Sequence, residues 1–209
     1  MKIFLDSSEF FFPDAVAKKL QYFIDNPSDL PKVTCFHGYP GIGKTSFAKA
    51  FASAFACETK YKPMNESKVD PALLNDSFSQ SASLLPFLMP EEDTRPLARI
   101  TILDEFHNLS PKQQDQFKVR FDNLGEDERV IICLNTEEDR GRYLKQKVTD
   151  AILSRLYDIN FNLQRFEIRQ FIDEIQQRYT YLKSSQIHAY LPDMRKIERE
   201  NAIAKRLPL

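Results

Sequence analysis

Cysteine and histidine are scarce in this chain, with three of each among 209 residues. Cys35, Cys57 and Cys133 are odd in number, widely spaced and set in apolar stretches, which suits reduced core thiols in a reducing compartment and not a disulfide framework. His37, His107 and His188 are too scattered to form a metal-ligand pattern and are expected to be surface or internally satisfied side chains. An excess of one charge is also missing. Lysine plus arginine, at 29, nearly cancels aspartate plus glutamate, at 30. The net charge of −1 therefore gives no global pull toward nucleic acid or an acidic membrane surface, and any DNA contact must be local. There is no basic-then-apolar leader and no apolar run long enough to span a bilayer. The expectation is a soluble protein of the cytoplasm, of a cell or of an infected host, with no membrane partner. Internal repeats and low-complexity tracts are absent as well.

What is present is enough apolar sequence, 42% of positions, to bury one full core with room for a small appended lobe. Pro13 opens a segment whose Val16, Leu20, Tyr22 and Phe23 suit a short amphipathic helix, closed by Asn26-Pro27-Ser28. Lys32 to His37 reads as a buried strand, Ser46 to Cys57 as a helix packed on a sheet, and Thr59 to Met64 as a second strand. From Asp70 to Leu97 the chain turns to Ser, Asn, Pro and acids around Leu73-Leu74 and Leu84 to Met89, and yields no clear element. Arg99 to Leu103 is a compact apolar strand. Ser110 is a good N-cap and Pro111 a good first helical residue, so a helix is expected to about Leu124, ending at Gly125. Val130 to Leu134 has the unbroken apolar character of a strand covered on both faces. Strands separated by helices argue for an α/β fold with a parallel, doubly wound sheet. After Asn162 the period becomes helical through Ile168, Phe171, Ile172, Ile175, Tyr179 and Leu182, and a last helix starts near Pro192-Asp193 with Met194, Ile197 and Ile203. The expected division is a nucleotide-binding core over 1–162 and a small helical lid over 163–209.

The chemistry is concentrated in Gly38-Tyr39-Pro40-Gly41-Ile42-Gly43-Lys44-Thr45, placed after a buried strand and at the start of a helix. Its glycines let main-chain N–H groups turn inward around phosphate oxygens, and the helix N-terminus adds positive potential. Lys44 is expected to reach the β- and γ-phosphates of ATP, Thr45 to put its hydroxyl on Mg²⁺, and Ser46 to join the nucleotide contacts. An accidental glycine-rich turn would not need all eight positions in that context. Ile100-Thr101-Ile102-Leu103-Asp104-Glu105 is an apolar strand ending in two acids. Asp104 is suited to hold Mg²⁺ through coordinated water, and Glu105 to polarise the attacking water. An adjacent water-activating acid is what an ATP-hydrolysing machine requires and a small-acceptor kinase or GTPase does not. Asn135, at the C-terminal edge of its strand where ligands of open α/β sheets bind, could orient that water or could simply cap a loop.

The series Gly38 to Thr45, Asn65-Glu66-Ser67, Asp104-Glu105, Asn135, Ser154-Arg155 and Asp193-Met194-Arg195 resembles, in content and order, the AAA+ ATPases that load sliding clamps at DNA replication forks. It is most similar to the small ATPase subunits of cellular and bacteriophage loaders, from about Leu30 to Lys196. The resemblance implies a P-loop NTPase core of AAA+ type with a helical lid. It implies that Asn135 is sensor 1, that Arg155 is an arginine finger completing a neighbouring subunit's site in trans, and that Arg195 is sensor 2, reaching the nucleotide of its own subunit. It makes Pro111 to Asp122 the helix linking the acidic strand to DNA and to the neighbour. The implied partners are other AAA+ subunits in a homo- or hetero-oligomer, DNA, and a sliding clamp or a helicase. The chain departs from the pattern in three places. Leu156 stands where such subunits usually have cysteine, the expected helical collar is not among these 209 residues, and the box framing adenine is not evident, although Leu20 to Leu30 lies where it belongs. A helicase loader or other DNA-remodelling AAA+ factor shares the same site. An ATP-gated scaffold with little turnover and a monomeric P-loop kinase are the readings from other classes. Lys112, Lys118 and Arg120, and the tail's Arg195, Lys196, Arg199, Lys205 and Arg206, are interspersed with acids, and each group taken alone reads as a solvated helix face.

Overall fold

The computed structural model describes residues 2–5, 8–55, 57–64, 97–136, 144–162 and 165–207. Asn65-Glu66-Ser67 and most of the illegible 70–97 stretch lie outside the described residues. The strands are β1 (Lys2–Leu5), β2 (Ser8–Phe11), β3 (Val33–Gly38), β4 (Glu58–Pro63), β5 (Arg99–Asp104), β6 (Glu128–Asn135) and β7 (Tyr157–Asn160). The helices are α1 (Asp14–Asp25), α2 (Lys44–Ser53), α3 (Pro111–Asp122), α4 (Leu144–Lys147), α5 (Asp150–Leu153), α6 (Arg165–Arg178), α7 (Ser184–Tyr190) and α8 (Met194–Arg206). Among the described residues five strands form one parallel sheet in the order β4-β5-β6-β3-β7.

Both sheet faces are covered, which is why the central strands read as unbroken apolar runs. The two-residue alternation of side chains then sorts them. Phe36, Ile100, Ile102, Ile131, Cys133 and Ile159 pack toward α1 and α2. Val33, Cys35, Leu103, Val130, Ile132 and Leu134 pack on the opposite face with Phe117 and Phe121 of α3. Phe47 of α2 centres the first face, with its ring 4.7 Å from that of Phe12 and 5.7 Å from that of Phe36. The thiols of Cys35 and Cys133 are free and buried, and burial pushes both well above the usual thiol range.

The Ser110 cap forms as the sequence suggests: its side chain accepts from Gln113 N–H, the Gln113 amide reaches back to Ser110 N–H, and Pro111 takes the first helical position. Helix α2 stops at Ser53, short of Cys57. The periodic run from Ile168 to Leu182 is not one helix. It breaks after Arg178, and Tyr179 and Leu182 continue the apolar face from the connecting segment, packing with Phe171, Ile175, Ile187 and Ile197 in a third cluster. The hairpin β1–β2 has no counterpart in the sequence reading. Adjacent residues of β2 point to opposite faces, so Phe10 packs on Phe47 of the sheet layer (5.1 Å) while Phe11 packs on Phe171 of α6 (5.5 Å). Among the described residues no helix is long and apolar enough to cross a membrane.

Candidate nucleotide site

The site forms at the C-terminal edge of the sheet, where β3, β5 and β6 end side by side. After Gly38 the chain leaves the sheet and turns through Gly41 and Gly43, at φ 81° and 95°. These are left-handed conformations that a Cβ disfavours. Gly43 is the N-cap of α2, and Lys44 and Thr45 are its first residues. The loop's amides thus converge with the N-terminus of a ten-residue helix, a cradle suited to phosphate. The Lys44 ammonium is buried and donates to the carbonyls of Gly38 (2.9 Å) and Tyr39 (2.6 Å). Burial lowers its pKa to about 8, with the positive charge of Arg195 acting in the same direction and Asp104 opposing.

Strand β6 lies between β3 and β5, yet the sheet edge still brings loop and acids together. The Thr45 hydroxyl donates to the Asp104 carboxylate, 3.1 and 3.0 Å from its two oxygens. Glu105 follows with φ 55°, an unfavourable value for a non-glycine residue of the kind that gathers at functional sites. Its N–H donates to Asp104 Oδ1 (3.0 Å), and its carboxylate accepts from Asn108 Nδ2 (3.2 Å). Asn135 ends β6 in register with Gly38, between the phosphate loop and the acidic strand, and is half-buried. The next residue, Thr136, donates its N–H to Gly38 O (3.0 Å).

Two residues at this edge were not legible in the sequence. Tyr61 of β4 donates its hydroxyl to Asp104 Oδ2 (2.9 Å), and burial together with that bond pushes its pKa up to about 12. Asn162, just beyond β7 and 3% exposed, accepts the Tyr39 N–H at 2.6 Å through Oδ1. Its Nδ2 has no hydrogen-bond partner among the described residues. Asn162 lacks the mark that Asn135 has, a polar residue closing an apolar strand, because β7 reads Tyr-Asp-Ile-Asn and ends two residues earlier. Nothing local marks Tyr61, whose role depends on which strand lies beside β5.

A cavity of about 240 Å³ opens beside the loop, walled by Phe10 and Phe11 of β2, Ile42 of the loop, Tyr179, and Met194 and Arg195 of α8. Helix α8 is fastened directly to the loop. Met194 N–H donates to Gly41 O (3.1 Å), and a Cβ on Gly41 would run into the Asp193 carboxylate. The fold thus brings Arg195 to the glycine loop, with its side chain exposed at the cavity. Leu20 to Leu30 does not frame this cavity. Leu20, Phe23 and Leu30 are buried in the first core cluster, and the wall comes from the hairpin instead. Arg155 is not gathered here. It follows α5 and pairs bidentately with Asp122 at the end of α3, Nε to Oδ1 at 2.6 Å and Nη2 to Oδ2 at 2.8 Å, while Nη1 donates to Ala151 O (2.6 Å). That pairing holds the Asp122 carboxyl below its usual range.

The donor set fits a hard divalent cation. A hydroxyl and a carboxylate adjoin at the mouth of a phosphate cradle, which is the partial oxygen shell that Mg²⁺ accepts when nucleotide phosphates and water complete it. An α/β sheet with this cradle at its edge, closed by Lys44 and the Thr45–Asp104 pair, defines a P-loop nucleoside-triphosphatase fold. Residues 34–165, more than half of the chain, match the model of the ATPase family associated with various cellular activities (AAA), and the chain belongs to that family. Members of this family generally bind ATP with Mg²⁺ and commonly oligomerise. A comparison with curated proteins finds no match.

Proposed function

We propose that this chain is an ATP-hydrolysing subunit of an oligomeric DNA-replication assembly of clamp-loader type, with residues 1–162 as its nucleotide-binding core and 163–209 as its lid. The observation that carries the ATPase reading is the meeting of Lys44, Thr45 and Asp104 at one sheet edge, under a lid fastened to the same loop.

In this reading the amides of Gly41, Gly43, Lys44 and Thr45, with Ser46 beside them, receive the phosphates, and Lys44 exchanges the Gly38 and Tyr39 carbonyls for phosphate oxygens. Thr45 through its hydroxyl and Asp104 through coordinated water would hold Mg²⁺, which when bound would neutralise charge on the phosphates. Glu105 takes the proton of the attacking water, and Asn135 fixes its position. Arg195 reads the nucleotide from the subunit's own lid. Arg155, held on Asp122 at the end of α3, serves the site of a neighbour, so that hydrolysis depends on assembly. The loader assignment rests on the order of motifs along the chain, which resembles that of clamp-loader small subunits, and it makes DNA and a sliding clamp the partners.

The test is the ATPase rate of the purified chain alone, with primed DNA, and with primed DNA plus a clamp. Strong stimulation by the last combination is expected. Stimulation by a replicative helicase instead would reassign the chain to helicase loading, and a strictly monomeric protein in the presence of a slowly hydrolysed ATP analogue would remove the assembly reading.

A further inference from the structure

We infer that Tyr61 is a positioning residue for the cation site: its hydroxyl fixes the orientation of the Asp104 carboxylate that the metal requires. The inference rests on the reading of Thr45 and Asp104 as the Mg²⁺ pair and extends it to a residue on a different strand.

The geometry follows from sheet order. β4 is the edge strand of the sheet among the described residues and lies beside β5, with Tyr61 opposite Ile102 and Pro63 opposite Asp104. Ile102 and Asp104 are two residues apart and so share a face. Ile102 packs in the cluster containing α2, which places Asp104 and Tyr61 on the α2 side as well. From there the Tyr61 hydroxyl reaches Asp104 Oδ2 at 2.9 Å.

The carboxylate is thereby held from three directions: Thr45 from the helix start, the Glu105 N–H on Oδ1, and Tyr61 on Oδ2. Without Tyr61, Oδ2 keeps only the Thr45 hydroxyl, the group read as the cation's other ligand, and the Glu105 N–H on Oδ1 is then the one remaining fixed donor against rotation about the terminal carboxylate bond, a soft torsion. Tyr61 adds a second fixed donor, on the other oxygen. The tyrosine is itself held, because the Lys49 ammonium of α2 sits 3.7 Å from its ring centroid, a cation–π contact that ties the ring to the helix carrying Thr45. Donors that orient a metal-binding carboxylate typically change metal affinity by about 10–100-fold when removed.

Tyr61→Phe removes only the hydroxyl and keeps the ring and the Lys49 contact. Because Tyr61 is 37% exposed, the change leaves no sealed polar gap. The experiment measures binding of a fluorescent N-methylanthraniloyl-ATP to the full chain, first in EDTA and then along a Mg²⁺ titration, with thermal melting in parallel. The expected result is an affinity in EDTA equal to wild type, an unchanged melting temperature, and a Mg²⁺ midpoint raised about tenfold. A wild-type midpoint in the variant overturns the inference. So does a parallel loss of affinity with and without Mg²⁺, which would mark Tyr61 as a packing residue. A wild-type chain that binds the nucleotide equally with and without Mg²⁺ overturns the cation-site reading itself, and this inference with it.

Discussion

Gly41→Ala and Gly43→Ala make a matched pair that probes how helix α8 is joined to the glycine loop. Both glycines have positive φ, 81° and 95°, so a Cβ costs about 1–2 kcal/mol at either position from backbone strain alone. Their surroundings differ. At Gly43 a Cβ meets nothing within 4 Å, whereas at Gly41 it collides with the Asp193 carboxylate and comes within 3.1 Å of the Asp193 Cα. A backbone atom cannot swing aside as a side chain can, so relief requires α8 to move off the loop. That movement breaks the Met194 N–H to Gly41 O bond, a loss of about 1 kcal/mol. It also disturbs the Asp193 cap on Lys196 N–H, worth about 1 kcal/mol more. Gly43→Ala should therefore destabilise by about 1–2 kcal/mol and Gly41→Ala by about 3–4 kcal/mol. In urea unfolding followed by far-UV circular dichroism, the two midpoints should differ by about 1 M. In an Asp193→Ala background the cost of Gly41→Ala should shrink by about 1 kcal/mol while that of Gly43→Ala stays fixed. Equal destabilisation by the two alanines, or strict additivity with Asp193→Ala, would refute the docking of α8 on Gly41.

The remaining predictions concern charge and turnover. The folded-state pKa of Lys44, about 8, lies below its ordinary 10.5, so between these values the unfolded chain binds more protons and stability rises with pH. Relative to Lys44→Met, the wild type should gain on the order of 2–3 kcal/mol from pH 8 to 10.5. A stability difference between the two that is flat across this window, measured by denaturant unfolding, would contradict the burial of that ammonium. Glu105→Gln should lower ATP turnover by about 10²–10⁴-fold with nucleotide affinity retained, and a parallel loss of binding would remove Glu105 from the chemical step. Arg155→Ala should leave the melting temperature of the isolated chain nearly unchanged, since its pair with Asp122 is solvent-exposed, while lowering assembly-dependent hydrolysis by about 10³-fold or more. Mixing Arg155→Ala with Lys44→Ala subunits should restore part of the activity at mixed interfaces, and no recovery would argue against action in trans.

The fold class was legible because both of its signals are local. Unbroken apolar runs such as Val130 to Leu134 mark strands covered on both faces, and a glycine loop between strand and helix marks the turn at the sheet edge. The eight-residue loop and the Asp104-Glu105 pair were visible for the same reason, since cradle and acid chemistry need particular residues at fixed spacing. What sequence order could not carry is adjacency created by the sheet. Tyr61 meets Asp104 across 43 positions of chain only because β4 pairs with β5. Asn162 meets Tyr39 because β7 lies beside β3. Arg155 finds Asp122 through the packing of α5 on α3. The hairpin was missed because its strands are only four residues each, too short for periodicity to register. The break after Arg178 was hidden because Tyr179 and Leu182 keep the helical spacing while packing from a turn. Short apolar patterns report which side chains face the core, not whether the backbone between them stays helical.

The central claim, a triphosphate and its cation held together by the loop and Asp104, is tested most directly by isothermal titration of the purified chain with ATP in the presence and absence of Mg²⁺, alongside Lys44→Ala and Asp104→Asn. The account predicts one saturable site per chain that tightens with Mg²⁺ in the wild type, is lost in Lys44→Ala, and no longer responds to Mg²⁺ in Asp104→Asn. Binding of ATP that is indifferent to all three perturbations, or no binding at all, would contradict it.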